Sequence, residues 1–200
     1  MGFYKYVRDI WKKPNESMPE IMRERLISWR KEETSTVRLE TPTRLDKARS
    51  LGYKAKKGVI VVRQRVPKGG HYRPRPGVRR SKRSGRRVVL SKSYQQIAEE
   101  RANKKYPNCE VLNSYWVLED GKHRWYEIIL VDRDSPDIKN DKQLGWMHEP
   151  HHRGRVYRGL TSSGRKSRGL IRTKGEGAEK VRPSRTAVFR RKMSRRKKVR

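Results

Sequence analysis

The chain of 200 residues carries 54 Lys and Arg against 21 Asp and Glu, which gives it a formal net charge of +33. A charge of this size favours polyanionic partners and says little about the fold. Hydrophobic residues make up 32% of the chain, no apolar run is long enough for a membrane span, and the single cysteine, Cys109, excludes an internal disulfide and a cysteine-based zinc site. We therefore expect one compact domain with extensions in a reducing compartment, without a signal peptide or a membrane segment.

The N-terminal part of the chain is predicted to be helical. A short helix spans residues 3–12 and ends before Pro14. The stretch Ser17-Met-Pro-Glu20 fits a capping box with proline in the first turn, and it opens a helix that runs to about residue 33. Helical spacing places four apolar side chains on its inner face: Ile21, Met22, Leu26 and Trp29.

A further short helix begins at Thr43-Arg-Leu-Asp46, after the break at Pro42, and Gly52 suits its left-handed C-terminal residue. Residues 58–66 then form a strand pattern. Its uniformly apolar first half predicts a central strand covered on both faces, and its alternating second half places Arg63 and Arg65 on one face.

The rest of the domain is predicted to be a helix followed by a hairpin. The stretch Ser93-Tyr-Gln-Gln96 fits a second capping box, which opens a helix to about residue 105. Residues 110–118 and 124–132 are strands by their β-branched and aromatic content, and the Asp120-Gly121 turn joins them. The side chains expected to point inward or to pack in the core are Tyr94, Ile97, Ala98, Trp116, Trp125 and Tyr126.

These elements predict an α+β fold with a small mixed or antiparallel sheet, helices packed on it and a β-α-β-β core. We expect residues 1–52 to form a helical segment packed on an α+β lobe, residues 53–149. A basic loop, residues 67–90, interrupts the lobe, and residues 150–200 form a basic, non-globular extension and tail.

The charge lies mainly in two basic segments. The first basic segment, residues 47–98, holds 17 basic and no acidic side chains, and the second basic segment, residues 150–200, holds 19 basic and 2 acidic ones. Residues 1–46 and 99–149, in contrast, are close to neutral, with net charges of +2 and −3. Residues 68–87 have almost no large apolar side chain, so their burial cannot offset the entropy of ordering them. A phosphate backbone matches Arg in both charge and geometry, and 17 cations without one anion exceed what solubility alone requires.

A glycine-rich segment, residues 153–174, carries the most informative short motif. Gly154, Gly159, Gly164 and Gly169 recur every five residues with Arg, Lys and small hydroxyl side chains between them. Hydroxyls can donate to phosphate while cations neutralise it. The alternative is a flexible linker.

Two catalytic or metal-binding alternatives are weaker. His148, Glu149, His151 and His152, with Cys109, offer ligand atoms, but Pro150 interrupts the segment, so the histidines do not form the helical pair of a zinc site. A magnesium-dependent nuclease could use four carboxylates that follow the last strand: Asp132, Asp134, Asp137 and Asp141. They lie in a turn region where carboxylates commonly cap backbone N–H groups. A free-standing nucleic-acid compaction protein or chaperone is the remaining alternative, although it has no need of a neutral lobe.

Four motifs carry a family resemblance. They are Pro42-Thr-Arg-Leu-Asp-Lys-Ala-Arg-Ser-Leu-Gly-Tyr-Lys-Ala-Lys-Lys-Gly58, Ala98-Glu-Glu-Arg-Ala102, Val111-Leu-Asn-Ser-Tyr-Trp-Val117 and Arg158-Gly-Leu-Thr-Ser-Ser-Gly-Arg-Lys-Ser-Arg-Gly-Leu170. With Met1-Gly-Phe-Tyr-Lys-Tyr6, they resemble large-subunit ribosomal protein fifteen of the archaeal and eukaryotic type, a family unrelated to the bacterial protein of the same number. The Arg-rich end of the tail and the modest insert around Glu176 and Glu179 favour an archaeal-type chain.

The resemblance implies a structural, non-enzymatic protein of the large ribosomal subunit in the cytoplasm. We expect it to bind large-subunit rRNA and neighbouring ribosomal proteins and to stabilise packed rRNA helices during assembly. We expect no homo-oligomer and no cofactor, with Mg²⁺ held only through rRNA phosphates. The residues predicted to contact RNA belong to the two basic segments: Lys47, Arg49, Lys54, Lys56, Lys57, Arg63, Arg65, Lys68, His71, Tyr72, Arg73, Arg75, Arg79, Arg80, Lys82, Arg83, Arg86, Arg87, Arg153, Arg155, Arg158, Thr161, Ser162, Ser163, Arg165, Lys166, Ser167, Arg168, Arg172 and Lys174.

Overall fold

A computed structural model describes residues 2–72, 87–88 and 92–171. The helices in this part of the chain are α1 (Phe3–Ile10), α2 (Pro14–Ser17), α3 (Pro19–Lys31), α4 (Leu45–Ser50), α5 (Tyr94–Lys105), α6 (Pro136–Lys139) and α7 (Ser162–Ser167). The strands are β1 (Thr36–Leu39), β2 (Val59–Pro67), β3 (His71–Tyr72), β4 (Arg87–Val88), β5 (Cys109–Glu119) and β6 (His123–Asp132). Two short 3-10 turns, Gly145–His148 and Pro150–His152, lie between α6 and α7.

The main sheet is antiparallel, with the strand order β1-β2-β6-β5. β2 and β6 are therefore its central strands, which confirms the central position predicted for residues 58–66. Val61 lies opposite Ile129, and the pairing runs without a break from Val59 to Pro67. β5 pairs with β6 through two irregularities in register, so the hairpin predicted around the Asp-Gly turn is also confirmed.

Each face of the sheet is covered by its own apolar cluster. Along β6, Trp125, Ile129 and Val131 belong to the cluster under α1, α3 and α4, whereas Ile128 and Leu130 belong to the cluster under α5. The alternation follows from the two-residue period of a strand. Because both faces are buried, the apolar run in β6 is continuous, as the sequence of a two-sided sheet requires.

The predicted α+β fold is confirmed, and the structure adds one strand to its main sheet. β1 was not predicted, because four residues are too few to show a clear strand pattern and Pro42 follows shortly after them. β1 pairs antiparallel with β2, with Leu39 opposite Val61. The sheet consequently has four strands, and the N-terminal part of the chain supplies one of its edges.

The first predicted capping box is wrong. Ser17 ends α2, Met18 occupies the N-cap of α3, and no side chain caps this helix. The proline in the first turn is confirmed. On the inner face of α3, Met22 and Trp29 are buried and Leu26 packs against them, but Ile21 is 45% exposed. The prediction for Ile21 was therefore wrong.

The second predicted cap is confirmed at its N-cap residue. The backbone N–H of Gln96 donates to Ser93 Oγ over 3.2 Å, and α5 follows. Ala98 is fully buried, and Tyr94 and Ile97 pack at the edge of the same cluster. Among the predicted core aromatics, Trp125 and Tyr126 are buried and Trp116 is packed against their neighbours.

The two ends of the basic loop form a two-stranded antiparallel ladder, β3 with β4, in which His71 lies opposite Val88 and Tyr72 opposite Arg87. The rest of the loop lies outside the described residues, as does the chain from residue 172 onward. None of the helices in the described ranges is long and apolar enough to cross a membrane.

Candidate nucleic-acid interface

The two basic segments meet at the N-terminal end of α5. The backbone N–H of Ser93 donates to Ser167 Oγ over 3.2 Å, across 74 positions of sequence. On the other side of the same turn, the Tyr94 hydroxyl accepts from the N–H of Gly69 at 2.9 Å and donates to its carbonyl at 3.0 Å. The start of the basic loop, its return into α5 and the end of α7 are therefore tied together in one region.

A buried carboxylate anchors the glycine-rich segment to the domain. Glu99, on the inner face of α5, is fully buried, and the hydroxyls of Thr161 and Ser163 each donate to its Oε2 over 2.6 Å. Ser114, on β5, donates to the other oxygen. Burial raises the pKa of Glu99, and the hydroxyl donors partly oppose that shift by stabilising the charged form.

Further contacts of the segment run along β5. The backbone N–H of Gly154 donates to Glu110 Oε1 over 2.7 Å, and the Arg155 guanidinium donates to the carbonyl of Val111 over 2.8 Å. Arg155 also lies over the Trp146 ring, 4.9 Å from its centroid. Val156 is fully buried in the cluster under α5. Through residue 171, the glycine-rich segment is therefore a packed part of the domain, which excludes the flexible-linker alternative for this portion.

The glycine repeat in this segment has a conformational cause. Gly159 has a φ of +66°, a left-handed value that side chains rarely adopt. Gly164, inside α7, allows the helix to approach that turn, since a Cβ at Gly164 would stand 2.6 Å from the Cα of Gly159. The five-residue spacing thus matches a turn packed against a helix.

Thr161 and Ser163 are buried in the described part of the domain. Both were predicted to contact phosphate, but they are 0% and 4% exposed and their hydroxyls are engaged by Glu99. Thr161 also caps α7, since its Oγ1 accepts from the N–H of Gly164. Sequence analysis missed Glu99. The sequence did contain a signal for it: Glu99 is adjacent to Ala98 and three positions before Ala102, so it falls on the same buried face of the predicted helix.

Several predicted RNA-binding cations have partners inside the domain. Arg63 is 7% exposed, pairs with Glu32 and lies 4.1 Å from the centroid of the Trp29 ring. Arg65 donates to the Glu32 carbonyl at 3.1 Å, so both arginines join β2 to the end of α3. Other predicted RNA-binding cations with internal acceptors are Lys54 and Lys56 with Asp141, Lys68 with Glu119 and the Asp120 carbonyl, Arg158 with the carbonyls of His151 and Arg153, and Arg168 with the Gly159 carbonyl.

Another group of predicted cations is exposed to solvent. Arg165 and Lys166 project from α7, next to the meeting point of the two basic segments. Arg153 is exposed at the start of the glycine-rich segment, and Ser162 is exposed at the start of α7. Lys47, Arg49 and Lys57 are exposed in the first basic segment. These side chains are available to a polyanion in the conformation described.

Part of the predicted set is not placed at the level of side chains. For His71, Tyr72 and Arg87 the structure gives the backbone ladder only. The remaining predictions fall outside the described residues and stay predictions: Arg73, Arg75, Arg79, Arg80, Lys82, Arg83, Arg86, Arg172 and Lys174.

Two of the four carboxylates of the nuclease alternative, Asp132 and Asp141, cap turns, and Asp141 also pairs with Lys54 and Lys56. Asp132 accepts from the N–H of Asp134, and Asp141 accepts from the N–H groups of Gln143 and Leu144. The Lys56 ammonium, these N–H donors and Lys54 hold the pKa of Asp141 well below its usual range. In the described part of the chain, these aspartates do not form a group able to share a metal ion.

Glu149, His151 and His152 do lie close enough to share a metal, with their ligand atoms within 4.8 Å of one another. Glu149 and His151 are exposed, and their side chains already pair with each other at 3.2 Å. Partial burial and the positive charges of His151, Arg155 and Arg158 lower the pKa of His152.

Comparison with known protein families gives one finding. A family model described as Ribosomal L15 matches residues 2–188. The match spans every helix and strand described above, together with the basic loop and most of the tail.

Proposed function

Because the chain belongs to the ribosomal L15 family of the archaeal and eukaryotic type, and is thus a protein of the large ribosomal subunit, we propose that its two basic segments bind large-subunit rRNA together. The family is one of structural proteins and not of enzymes. The resemblance drawn from the sequence motifs is thereby confirmed.

The observation that carries the proposal is the meeting of the two basic segments at the N-terminal end of α5. Ser93 and Ser167 join them by a hydrogen bond of 3.2 Å. Arg165 and Lys166 are exposed on the adjoining helix. A domain that is otherwise close to neutral can thus direct two runs of cations from one region towards the same stretch of RNA.

The proposed mechanism is electrostatic. Lys and Arg side chains neutralise phosphates and release their counterions, which lowers the repulsion between closely packed rRNA helices. Contacts to phosphate and ribose dominate, since the deep and narrow major groove of an RNA duplex hides its base edges. The contacts of Glu99 with Thr161 and Ser163 fix the direction of the glycine-rich segment before RNA binds.

Several finer expectations follow from this placement in the large subunit. Neighbouring ribosomal proteins are partners, Mg²⁺ is held only through rRNA phosphates, and the chain acts in the cytoplasm within the ribosome without forming a homo-oligomer. It stabilises packed rRNA helices during assembly and translation. A free-standing compaction protein would instead bind DNA and RNA alike.

Fractionation of a native lysate on a sucrose gradient tests the placement. The protein should migrate with the large subunit and stay there through a high-salt wash, because its basic segments are enclosed by rRNA. Release at moderate salt, or recovery at the top of the gradient, would contradict the proposal.

Binding of the purified chain to deproteinised large-subunit rRNA tests the interface. The double variant Arg165→Ala and Lys166→Ala should bind more weakly, and the slope of log K against log salt should fall by about 0.7–0.9 for each phosphate that the variant no longer neutralises. The double variant Lys139→Ala and Lys142→Ala is the matched control, since it removes the same number of charges from exposed positions in the acidic turn region around Asp141. An equal weakening in both variants would mean that the binding is a property of net charge alone.

A further inference from the structure

Three side chains with metal-ligating atoms converge in the turn that precedes the glycine-rich segment. Glu149, His151 and His152, named here the Glu-His-His cluster, each offer one ligand atom, and these atoms lie within 4.8 Å of one another. Glu149 Oε2 and His151 Nδ1 are 3.2 Å apart, close to the separation of about 3.3 Å between two ligands of a tetrahedral zinc ion with bonds of about 2.0–2.1 Å. Since Glu149 and His151 are exposed, their side chains can rotate to bring the three atoms within reach of one ion.

The backbone holds the Glu-His-His cluster in shape before any ion binds. Glu149 precedes the 3-10 turn Pro150–His152, and the N–H of His152 donates to the Glu149 carbonyl over 3.0 Å. The Arg158 guanidinium donates to the carbonyl of His151, which ties the turn to the glycine-rich segment. Binding of an ion therefore requires little ordering of the chain, and its entropic cost is reduced accordingly.

One ring nitrogen of the cluster is buried without a partner. Nδ1 of His152 has no hydrogen bond among the described residues, whereas Nδ1 of His148, four positions earlier, lies 3.0 Å from the Arg133 carbonyl and bonds to it. The Trp146 and His151 rings pack against the His152 ring, with centroids 4.7 Å and 3.9 Å away. Buried polar atoms normally have a hydrogen bond, an ordered water or an ion as partner. A metal ion bound at Nδ1 would supply the partner that the described residues do not.

The donor set selects the class of ion. Imidazole with carboxylate suits Zn²⁺ and other divalent transition metals, whereas Mg²⁺ and Ca²⁺ prefer oxygen ligands alone. Arg155, over the Trp146 ring, and Arg158 lie close by and repel any cation. This repulsion acts most strongly against hard ions, which are held by charge, and least against ions that bind the lone pair of an imidazole.

We propose that Glu149, His151 and His152 form a binding site for one divalent transition-metal ion of the Zn²⁺ type, with three protein ligands and a water molecule in the fourth position. The ion joins the two exposed side chains to the half-buried His152 and stiffens the turn that leads into the glycine-rich segment. The inference does not depend on RNA binding. The sequence gave little weight to a metal here, because it could not show that a 3-10 turn brings the three side chains together.

Titration of the untagged, metal-free full chain with Zn²⁺, followed by calorimetry, tests the proposal. One equivalent should bind per chain, and a large excess of Mg²⁺ should not displace it. Co²⁺ in place of Zn²⁺ should give the strong visible absorption of a tetrahedral complex and should quench the fluorescence of Trp146, whose ring is 4.7 Å from that of His152. Trp146→Phe should lose this quenching and keep the stoichiometry.

Two ligand variants and one control locate the site. Glu149→Gln and His151→Ala should each weaken Zn²⁺ binding at least about tenfold, since even the outer-shell partners of metal ligands contribute about 10–100-fold. His148→Ala is the matched control, because His148 is an exposed histidine of the same region with its Nδ1 bonded to the Arg133 carbonyl, and it should bind Zn²⁺ as tightly as the parent. All three positions are exposed, so each variant should keep the circular dichroism spectrum of the parent.

Four results would overturn the inference. They are the absence of stoichiometric Zn²⁺ binding, parental affinity in both ligand variants, an equal weakening in His148→Ala, and displacement of Zn²⁺ by Mg²⁺. The third would mean that the ion binds scattered surface histidines, and the fourth that the site holds hard cations. None of these results bears on the proposed function, which is judged by rRNA binding of the parent chain and of the Arg165→Ala and Lys166→Ala variant.

Discussion

Replacement of Thr161 by valine should destabilise the domain, whereas a hydroxyl that served RNA binding alone would leave its stability unchanged. Valine keeps the shape of threonine, so the fully buried side chain leaves no cavity. The hydroxyl is removed, and with it the 2.6 Å hydrogen bond to Glu99 and the acceptor for the N–H of Gly164. The variant therefore lacks one donor to a buried carboxylate and one helix cap.

The magnitude follows from these two interactions. A hydrogen bond to a charged group contributes about 1.5–3 kcal/mol, and removal of an N-cap costs about 0.5–2 kcal/mol. The free energy of unfolding should therefore fall by about 2–5 kcal/mol. Ser162→Ala is the matched control, because this neighbouring hydroxyl is exposed and its removal should change the stability by no more than about 0.5 kcal/mol.

The effect of Thr161→Val should depend on pH. Burial raises the pKa of Glu99, so the folded chain holds the proton on this carboxyl to higher pH than the unfolded chain does. As the pH rises through the folded pKa of Glu99, the carboxyl acquires its charge inside the domain and this group contributes less to stability. The missing donor matters most to the charged form, so the difference between variant and parent should grow with pH over that range.

Equilibrium unfolding in urea, followed by tryptophan fluorescence, measures both effects. Hydrogen exchange at α7 should show faster opening of that helix in the variant. The reasoning would be refuted by a Thr161→Val variant of parental stability that binds rRNA more weakly, because the hydroxyl would then serve RNA and not Glu99.

Three further predictions test other contacts. Gly164→Ala should lower the free energy of unfolding by about 1–3 kcal/mol, because the added Cβ would stand 2.6 Å from the Cα of Gly159. Gly121→Ala is the control: its Cβ would meet open space, so the free energy of unfolding from the same urea titration should not change. Lys56, backbone N–H groups and Lys54 hold the pKa of Asp141 below its ordinary 3.8, so the contribution of this carboxylate to stability is present above about pH 4 and disappears at lower pH. The free energy of unfolding of Asp141→Asn, measured by urea titration, should therefore differ from that of the parent at neutral pH and approach it in acid. A difference that persists in acid would contradict this cause. Arg63→Ala should lower the free energy of unfolding by about 1–3 kcal/mol, because it removes the partner of the half-buried Glu32 and the guanidinium over the Trp29 ring. The salt slope of rRNA binding should stay at the parental value, and a lowered slope would mean that Arg63 contacts phosphate.

Strands and helices with a clear period could be predicted from sequence. β2, β5, β6 and α5 each combine a run of apolar or alternating residues with a local signal, such as the Asp-Gly turn or the Ser93 cap, and these signals act within a few residues. β1 escaped prediction because four residues carry too little pattern, and its place at the edge of the sheet depends on pairing with β2. The failed cap at Ser17 has a related cause, since α2 ends at that residue and leaves Met18 in the capping position.

The candidate interface was predictable as a region and not as a set of residues. Composition alone located the two basic segments. It could not separate Arg63, which lies over Trp29, from Arg165, which is exposed. Nor could it show that Thr161 donates to Glu99, because the two are 62 positions apart.

The sequence by itself determined the class of partner, the α+β fold and the family, because net charge, hydrophobic period and long motifs are properties of the linear chain. Only the tertiary structure decided which cations and hydroxyls are exposed and which have partners inside the domain, and it brought both basic segments to one end of α5. The physical reason is that a polar side chain that becomes buried on folding must form hydrogen bonds or ion pairs with groups that are close in space, whatever their distance in sequence. When packing brings a buried carboxylate or a carbonyl within hydrogen-bond distance, that partner takes the place of solvent.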